Sequence, residues 1–207
     1  MLKYLITSLL LLCLSSGAFS QIQLNLLDGR QIKLESYVFH SDQGYMDYSY
    51  MNKKDKVKNT YAELDDVYSI NINGKDSVIY KQMFEEEYAL DEMNRIVLAR
   101  QYAHQEYNPW WAYATGMIVG CGSMFLPMNG MTKLVFPLVY TAGIAFASPT
   151  NSFIRKRHEI EVNDEMFVYG YKSTGRKKIF KNSTLGVLGG IFASGIIWTT
   201  LYFSTAE

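Results

Sequence analysis

From Trp110 to Ser148 the chain runs for thirty-nine residues with a single charge, Lys133, and this stretch constrains the fold more than any other. A helix lying on a water-soluble core needs a polar face, and this block has none. Pro127-Met-Asn-Gly130 divides it into Trp110–Pro127 and Met131–Ser148, eighteen residues each. As helices these would be about 27 Å long, at the short end of what crosses a hydrocarbon core. Trp110, Trp111 and Tyr113 form an aromatic cluster of the kind found at headgroup level, and Lys133 is placed to snorkel. A third apolar segment, Leu185–Phe203, carries Trp198 and Tyr202 near its end.

The overall averages hide this pattern, because 48% hydrophobic residues and zero net charge suit an ordinary globular chain. Residues 21–109 hold ten Lys/Arg against fifteen Asp/Glu, whereas residues 149–183 hold eight against four. The front is acidic and the later segment basic. Residues 1–20 have the form of a secretory signal peptide, with Lys3, an apolar run Leu5–Leu14 and Ala18-Phe19-Ser20, and cleavage is expected before Gln21. An uncleaved anchor is the alternative and leaves residue 21 on the same side. Leu12 before Cys13 argues against a lipidation site. Beyond the signal only Cys121 remains, so a disulfide framework is excluded. One cysteine and the scattered His40, His104 and His158 do not make a zinc site, and these histidines are expected at the surface or at caps. No cofactor and no nucleic-acid partner are expected.

Residues 21–82 read as an exported antiparallel β module. Short β-type runs are broken by turn residues, with type I′ hairpins expected at Asp28-Gly29 and Asn73-Gly74. The run Gln31–Phe39 reads as one strand, Tyr45–Met51 as another and Asp76–Lys81 as the last, six in all. Tyr37, Tyr45, Tyr48, Tyr50, Tyr61, Tyr68 and Tyr80 are read mainly as cross-strand pairs, with a ligand-stacking surface as the rival. The carboxylates of Glu85–Glu87 and Asp65-Asp66 suit solvent as well as a cation.

Residues 83–109 form an amphipathic connecting helix over Leu90–Tyr107, capped by Asp91, with Met93, Ile96, Val97, Arg100, Ala103 and Tyr107 on one stripe and a stop at Asn108-Pro109. Residues 110–148 are the apolar hairpin, 149–183 a basic loop and juxtamembrane helix, and 184–207 a C-terminal apolar helix and tail. Small residues recur at every fourth place: Ala112, Gly116 and Gly120; Gly143 and Ala147; Gly186, Gly190 and Ser194. In lipid such spacing lets backbones approach, so these positions are candidate helix-packing faces. Arg155, Lys156, Arg157, Arg176, Lys177 and Lys178 are the candidate basic juxtamembrane residues.

Two resemblances follow from these residues. The small-residue spacing resembles glycine-zipper stretches of bacterial envelope proteins. Asp164-Glu-x-Phe167-x-x-Gly170-Tyr171-Lys172, with Arg176-Lys177-Lys178, Asn182 and Gly189-Gly190 beyond, resembles uncharacterised signal-bearing membrane proteins of Gram-negative bacteria. The strand Asp66–Ile70, the turn Asn73-Gly74-Lys75 and Val78–Lys81 match the same arrangement. The resemblance implies an α+β membrane protein: a small antiparallel β module, an amphipathic helix, then about three glycine-rich apolar helices. It implies a bacterial cell-envelope membrane protein of unassigned function; the signal peptide and apolar segments add the expectation of the inner membrane, with the N-terminal module in the periplasm. It supplies no catalytic residues.

If all three apolar segments span, the basic loop lies on the side of the front module, against the positive-inside tendency. If the hairpin is re-entrant or mostly buried in protein, the loop stays outside by the same count; if Trp110–Ser148 crosses once, the loop lies in the cytoplasm. Two closely packed helices with the loop outside are preferred, because the break is short and each half is near spanning length. There the basic residues would meet anionic headgroups or an acidic front module. No Gly-x-Ser-x-Gly, His-Glu-x-x-His or phosphate-loop pattern occurs, so an enzyme is not expected. The expected function is a scaffold, adaptor or accessory subunit, with the lipid bilayer, a protein partner and a second copy of the chain as partners. The alternatives are a periplasmic binding module for a peptide or glycan, and a subunit whose transport or catalytic site is completed by partners.

Overall fold

The computed structural model describes residues 22–127 and 129–204. The expected signal peptide lies outside them, and so does the side chain of Tyr202. The architecture is α+β, small antiparallel sheets followed by helices. It divides into two compact units: one formed by Gln31–Lys81 with the described residues up to Leu27, the other by Asp28–Arg30 with the residues from Gln82 onward.

The first unit has seven strands, not six: β1 (Ile22–Leu26), β2 (Gln31–Leu34), β3 (Ser36–His40), β4 (Tyr45–Met51), β5 (Val57–Glu63), β6 (Val67–Ile72) and β7 (Lys75–Val78). They form two antiparallel sheets, ordered β2-β1-β6-β7 and β3-β4-β5. The run expected as one strand over Gln31–Phe39 breaks at Glu35 and serves both sheets. The Glu35 N–H leaves the first ladder and donates to the Ser49 carbonyl at 2.9 Å. Alternate residues then face a shared core of Leu24, Leu26, Leu34, Met46, Tyr48, Val67 and Ile70. Inside it Asn25 is satisfied by the Ser69 hydroxyl at 2.9 Å.

Asn73 (φ 54°) and Gly74 (φ 84°) make the expected type I′ turn. Asp28-Gly29 does not, because only Gly29 has positive φ. A bulge at Asn25/Leu26 turns Leu26 toward Val67, so β1 leaves β2 early and a longer loop closes the hairpin.

The second unit holds α1 (Leu90–Glu106), α2 (Trp110–Met124), α3 (Gly130–Ile144), α4 (Asn151–Arg155) and α5 (Glu165–Ser204). Asp91 does not cap α1. The N-cap is Ala89, whose N–H donates to the Glu92 carboxylate at 3.0 Å, while Asp91 sits in the first turn and pairs with Arg95 at 2.7 Å. α2 and α3 are each 15 residues, shorter than the expected eighteen. The loss falls beside Pro127 at the end of α2, and beyond Ile144 the chain turns into Pro149. At about 22 Å each, both stop short of a hydrocarbon core of about 30 Å.

α5 runs unbroken for 40 residues, merging the expected juxtamembrane helix with the third apolar segment. Asp164 caps it, its carboxylate accepting from the Met166 N–H at 2.9 Å and the Phe167 N–H at 3.3 Å. Among the described residues α5 is the one helix long and apolar enough to cross a membrane. Its first half packs on α1 through Phe167, Tyr171 and Ile179, against Ala99, Ala103, Tyr107 and Ile154.

Candidate helix-packing site and open sheet face

α5 runs parallel to the broken rod formed by α1 and α2. A Cβ on Gly170 would lie 3.0 Å from Ile96 Cα, Lys178 bonds the His104 carbonyl, Asn182 bonds the Pro109 carbonyl, and Gly186 and Gly190 abut Tyr113 and Met117. Contacting positions therefore rise together along both chains. Four glycines make the upper half of this seam. A methyl on Gly116 would strike the Ser183 carbonyl, on Gly120 the Val187 carbonyl, on Gly186 the Tyr113 carbonyl and on Gly190 the Met117 carbonyl. Ala112 is buried beside them. Ser194 is buried too, with its hydroxyl returned to the Ile191 carbonyl of its own helix at 2.6 Å.

Gly143 belongs to no such face. It is exposed, and a Cβ there would meet nothing within 4 Å. α3 instead lies antiparallel to α2, with Lys133 Nζ on the Met124 carbonyl at 2.8 Å and the Tyr140 and Thr115 hydroxyls 2.6 Å apart. Those contacts orient Gly143 away from any neighbour. Ala147 lies past the end of α3 and packs at the margin of the aromatic core. Sequence spacing missed Gly170 and Gly175, which admit the Ile96 backbone and Pro149. They lie in a polar segment, where the small-residue rule for lipid gave no reason to look.

The basic residues also separate. Lys178 is not a free juxtamembrane charge. Its ammonium donates to the carbonyls of Ala103, His104 and Tyr107 at 3.1, 2.8 and 2.7 Å, closing the C-terminus of α1 where Pro109 breaks the helix. Asn182, one turn on, donates to the Pro109 carbonyl at 3.3 Å. Arg157 lies over the Phe153 ring at 4.2 Å and faces Glu106 at 3.8 Å. Arg155, Lys156, Arg176 and Lys177 are exposed.

His158, expected at the surface, is buried. Its Nε2 lies 3.2 Å from Glu106 Oε2, and its ring packs on Tyr102, Phe167 and Tyr171. The cause is tertiary: the hairpin folds the chain back until residues 149–163 meet α1. Burial, with the Glu106 charge nearby, pushes the Tyr171 phenol up to about 12. This aromatic cluster is closed core, and no group of three metal-ligating side chains occurs among the described residues.

The outer surface of α2, α3 and the second half of α5 is largely apolar. Ile118 is 71% exposed, Met131 84%, Leu138 68%, Phe192 76% and Ile196 68%, with Trp110 at 70% and Trp198 at 56%. Trp111 and Tyr113 are exposed as well.

In the first unit the open face of β3-β4-β5 carries Val38, Asp47 and Tyr61 in one cross-strand row and His40, Tyr45 and Glu63 in the next. Tyr45 stacks on His40 at 4.7 Å and meets Tyr61 edge-on at 6.3 Å, and His40 Nε2 lies 3.0 Å from Asp47. Tyr61 is 65% exposed. Tyr48, on the opposite face, belongs to the core as a cross-strand aromatic. No known protein family matches the chain, and neither a curated protein nor a solved structure is similar to it.

Proposed function

We propose that the protein is a non-enzymatic integral membrane protein of the bacterial cell envelope, a scaffold or accessory subunit that holds a small β module at the inner membrane. The observation that carries this reading is the inverted polarity of the helical unit. α2 and the second half of α5 meet through glycines and alanine, while Ile118, Met131, Leu138, Phe192 and Ile196 face outward. Water would penalise that surface by about 25 cal/mol per Å² of apolar area, whereas lipid does not. α5 supplies a spanning segment from Leu185, and the α2–α3 hairpin enters and leaves at the same end. Residues 149–183 then lie on the side of α1, which the expected signal peptide places in the periplasm. The parallel pair of α1–α2 and α5 serves as a rigid mount, and further partners or a second copy would attach to it. Cross-linking in intact membranes followed by purification in mild detergent tests the scaffold role. Co-purification of a defined envelope protein, or a stable oligomer, is the expected result; a lone monomer without partners overturns it.

A second reading, a binding module for a peptide or glycan, is favoured by one observation: Tyr45, Tyr61 and His40 cluster beside Asp47 on an exposed sheet face. Retention of the full chain on immobilised glycans or peptides, lost in Tyr61→Ser, would support it.

A further inference from the structure

We infer that Arg155, Lys156, Arg176, Lys177 and Lys181 form a docking surface for the headgroups of anionic phospholipids. This rests on the membrane reading above and names the lipid chemistry that this end of the helical unit selects.

Three observations carry it. The first is level. Asn182 bonds the Pro109 carbonyl at 3.3 Å, so Lys181 lies at the height where Trp110 and Trp111 begin the exposed apolar surface. Gly175 packs on Pro149, with its Cβ position 2.6 Å from the proline Cδ, so the segment that leads to Arg155 and Lys156 passes α5 next to Arg176. Ile154, the residue before Arg155, packs in the core with Tyr107 and Ile179. Cations and indoles thus occupy one band at the end of the apolar helices, where headgroups meet hydrocarbon. The second is availability. All five side chains are exposed and none forms an ion pair among the described residues, whereas Lys178 is spent on α1 and Arg157 faces Glu106. The third is charge. Between Glu165 and Glu207 the sequence has no acidic residue, Glu106 is engaged by His158 and Arg157, and Asp164 by Arg95. Glu159 and Glu161 are exposed carboxylates that follow Arg155 and Lys156, and neither forms an ion pair with them. A band in which cations outnumber carboxylates at the edge of an apolar surface complements an anionic leaflet and gains little from a zwitterionic one.

The test uses the full chain in neutral detergent, doped with phosphatidylglycerol or with phosphatidylcholine, and reads lipid binding from tryptophan fluorescence. Half-saturation is expected at about tenfold lower phosphatidylglycerol than phosphatidylcholine, with the preference fading as salt rises. R155Q/K156Q/R176Q/K177Q/K181Q should lose the preference. K53Q/K54Q/K56Q/K58Q/K75Q, which removes as many charges from the sheet unit, should keep it. Equal response to both lipids, reproduction of the effect by inorganic phosphate, or a preference lost in both variants would overturn the inference while leaving the membrane reading intact. A preference replaced by lipid-independent self-association through the five cations would overturn it too, in favour of an acidic surface on a second copy. Full solubility without detergent would instead defeat the membrane reading, and the inference with it.

Discussion

The ammonium of Lys178 lies 2.7 Å from the carbonyl oxygen of Tyr107, the last residue before Asn108-Pro109 interrupts the helical rod. α1 ends at Glu106, so the His104 and Tyr107 carbonyls have no helical N–H to accept, while Ala103 keeps the Tyr107 N–H at 3.2 Å. One side chain from the parallel helix supplies the donor for both and adds a second one to Ala103. Lys178→Met should therefore lower stability by about 2–3 kcal/mol, the cost of leaving buried carbonyls unpaired, and Lys177→Met should leave it nearly unchanged. Thermal unfolding of the two variants in detergent checks this.

The glycines of the seam are expected to behave oppositely from Gly143. Gly120→Ala and Gly190→Ala drive a methyl group into a facing carbonyl, and each should cost about 1–3 kcal/mol. Gly143→Ala meets open space inside a helix and should stabilise, by up to about 1 kcal/mol. Loss of stability in Gly143→Ala would show that its face is covered.

Acid should weaken the start of α5. Burial disfavours the charged form of Asp164, but the Arg95 guanidinium at 3.0 Å and the Phe167 and Met166 N–H groups outweigh it and hold the carboxyl below its usual value. Its contribution is present above the unfolded-state value and disappears as pH falls through the lower folded-state value. Asp164→Ala should cost about 1–2 kcal/mol near neutrality and flatten this part of the acid profile; Asp164→Asn should keep the cap but lose the pH dependence. Circular dichroism melts across the acid range separate the two.

Tyr48 and Tyr61 lie on opposite faces of the same sheet. Tyr48→Ala removes a core ring and should destabilise the sheet unit by about 3 kcal/mol, while Tyr61→Ala should change stability by less than about 0.5 kcal/mol. Chemical denaturation of the sheet unit within the full chain, followed by its tyrosine signal, measures both.

These contrasts show what the sequence made legible. Alternation of apolar residues and the Asn73-Gly74 pair identify β6 and β7, because a tight turn and a half-buried face are local properties. The spacing of Gly116, Gly120, Gly186 and Gly190 is equally local, and those residues meet across the seam. The split at Glu35 was hidden, since both halves keep one alternating pattern and only the sheet they join changes. The same limit applies to Lys178: in sequence it is one of three consecutive cations, and the parallel register alone distinguishes it. His158 is buried by a return of the chain that starts at Pro127, thirty-one residues earlier. Gly143 shares the small-residue spacing but lacks the facing backbone, because α3 meets α2 through Lys133 and Tyr140 instead.

The apolar outer surface of α2, α3 and α5 is the feature on which the functional reading depends, and alkaline carbonate extraction of membranes from cells expressing the full chain tests it most directly. The expected result is that the protein stays with the pelleted membranes and leaves them only in detergent. Release into the supernatant as a monodisperse, folded species would contradict it.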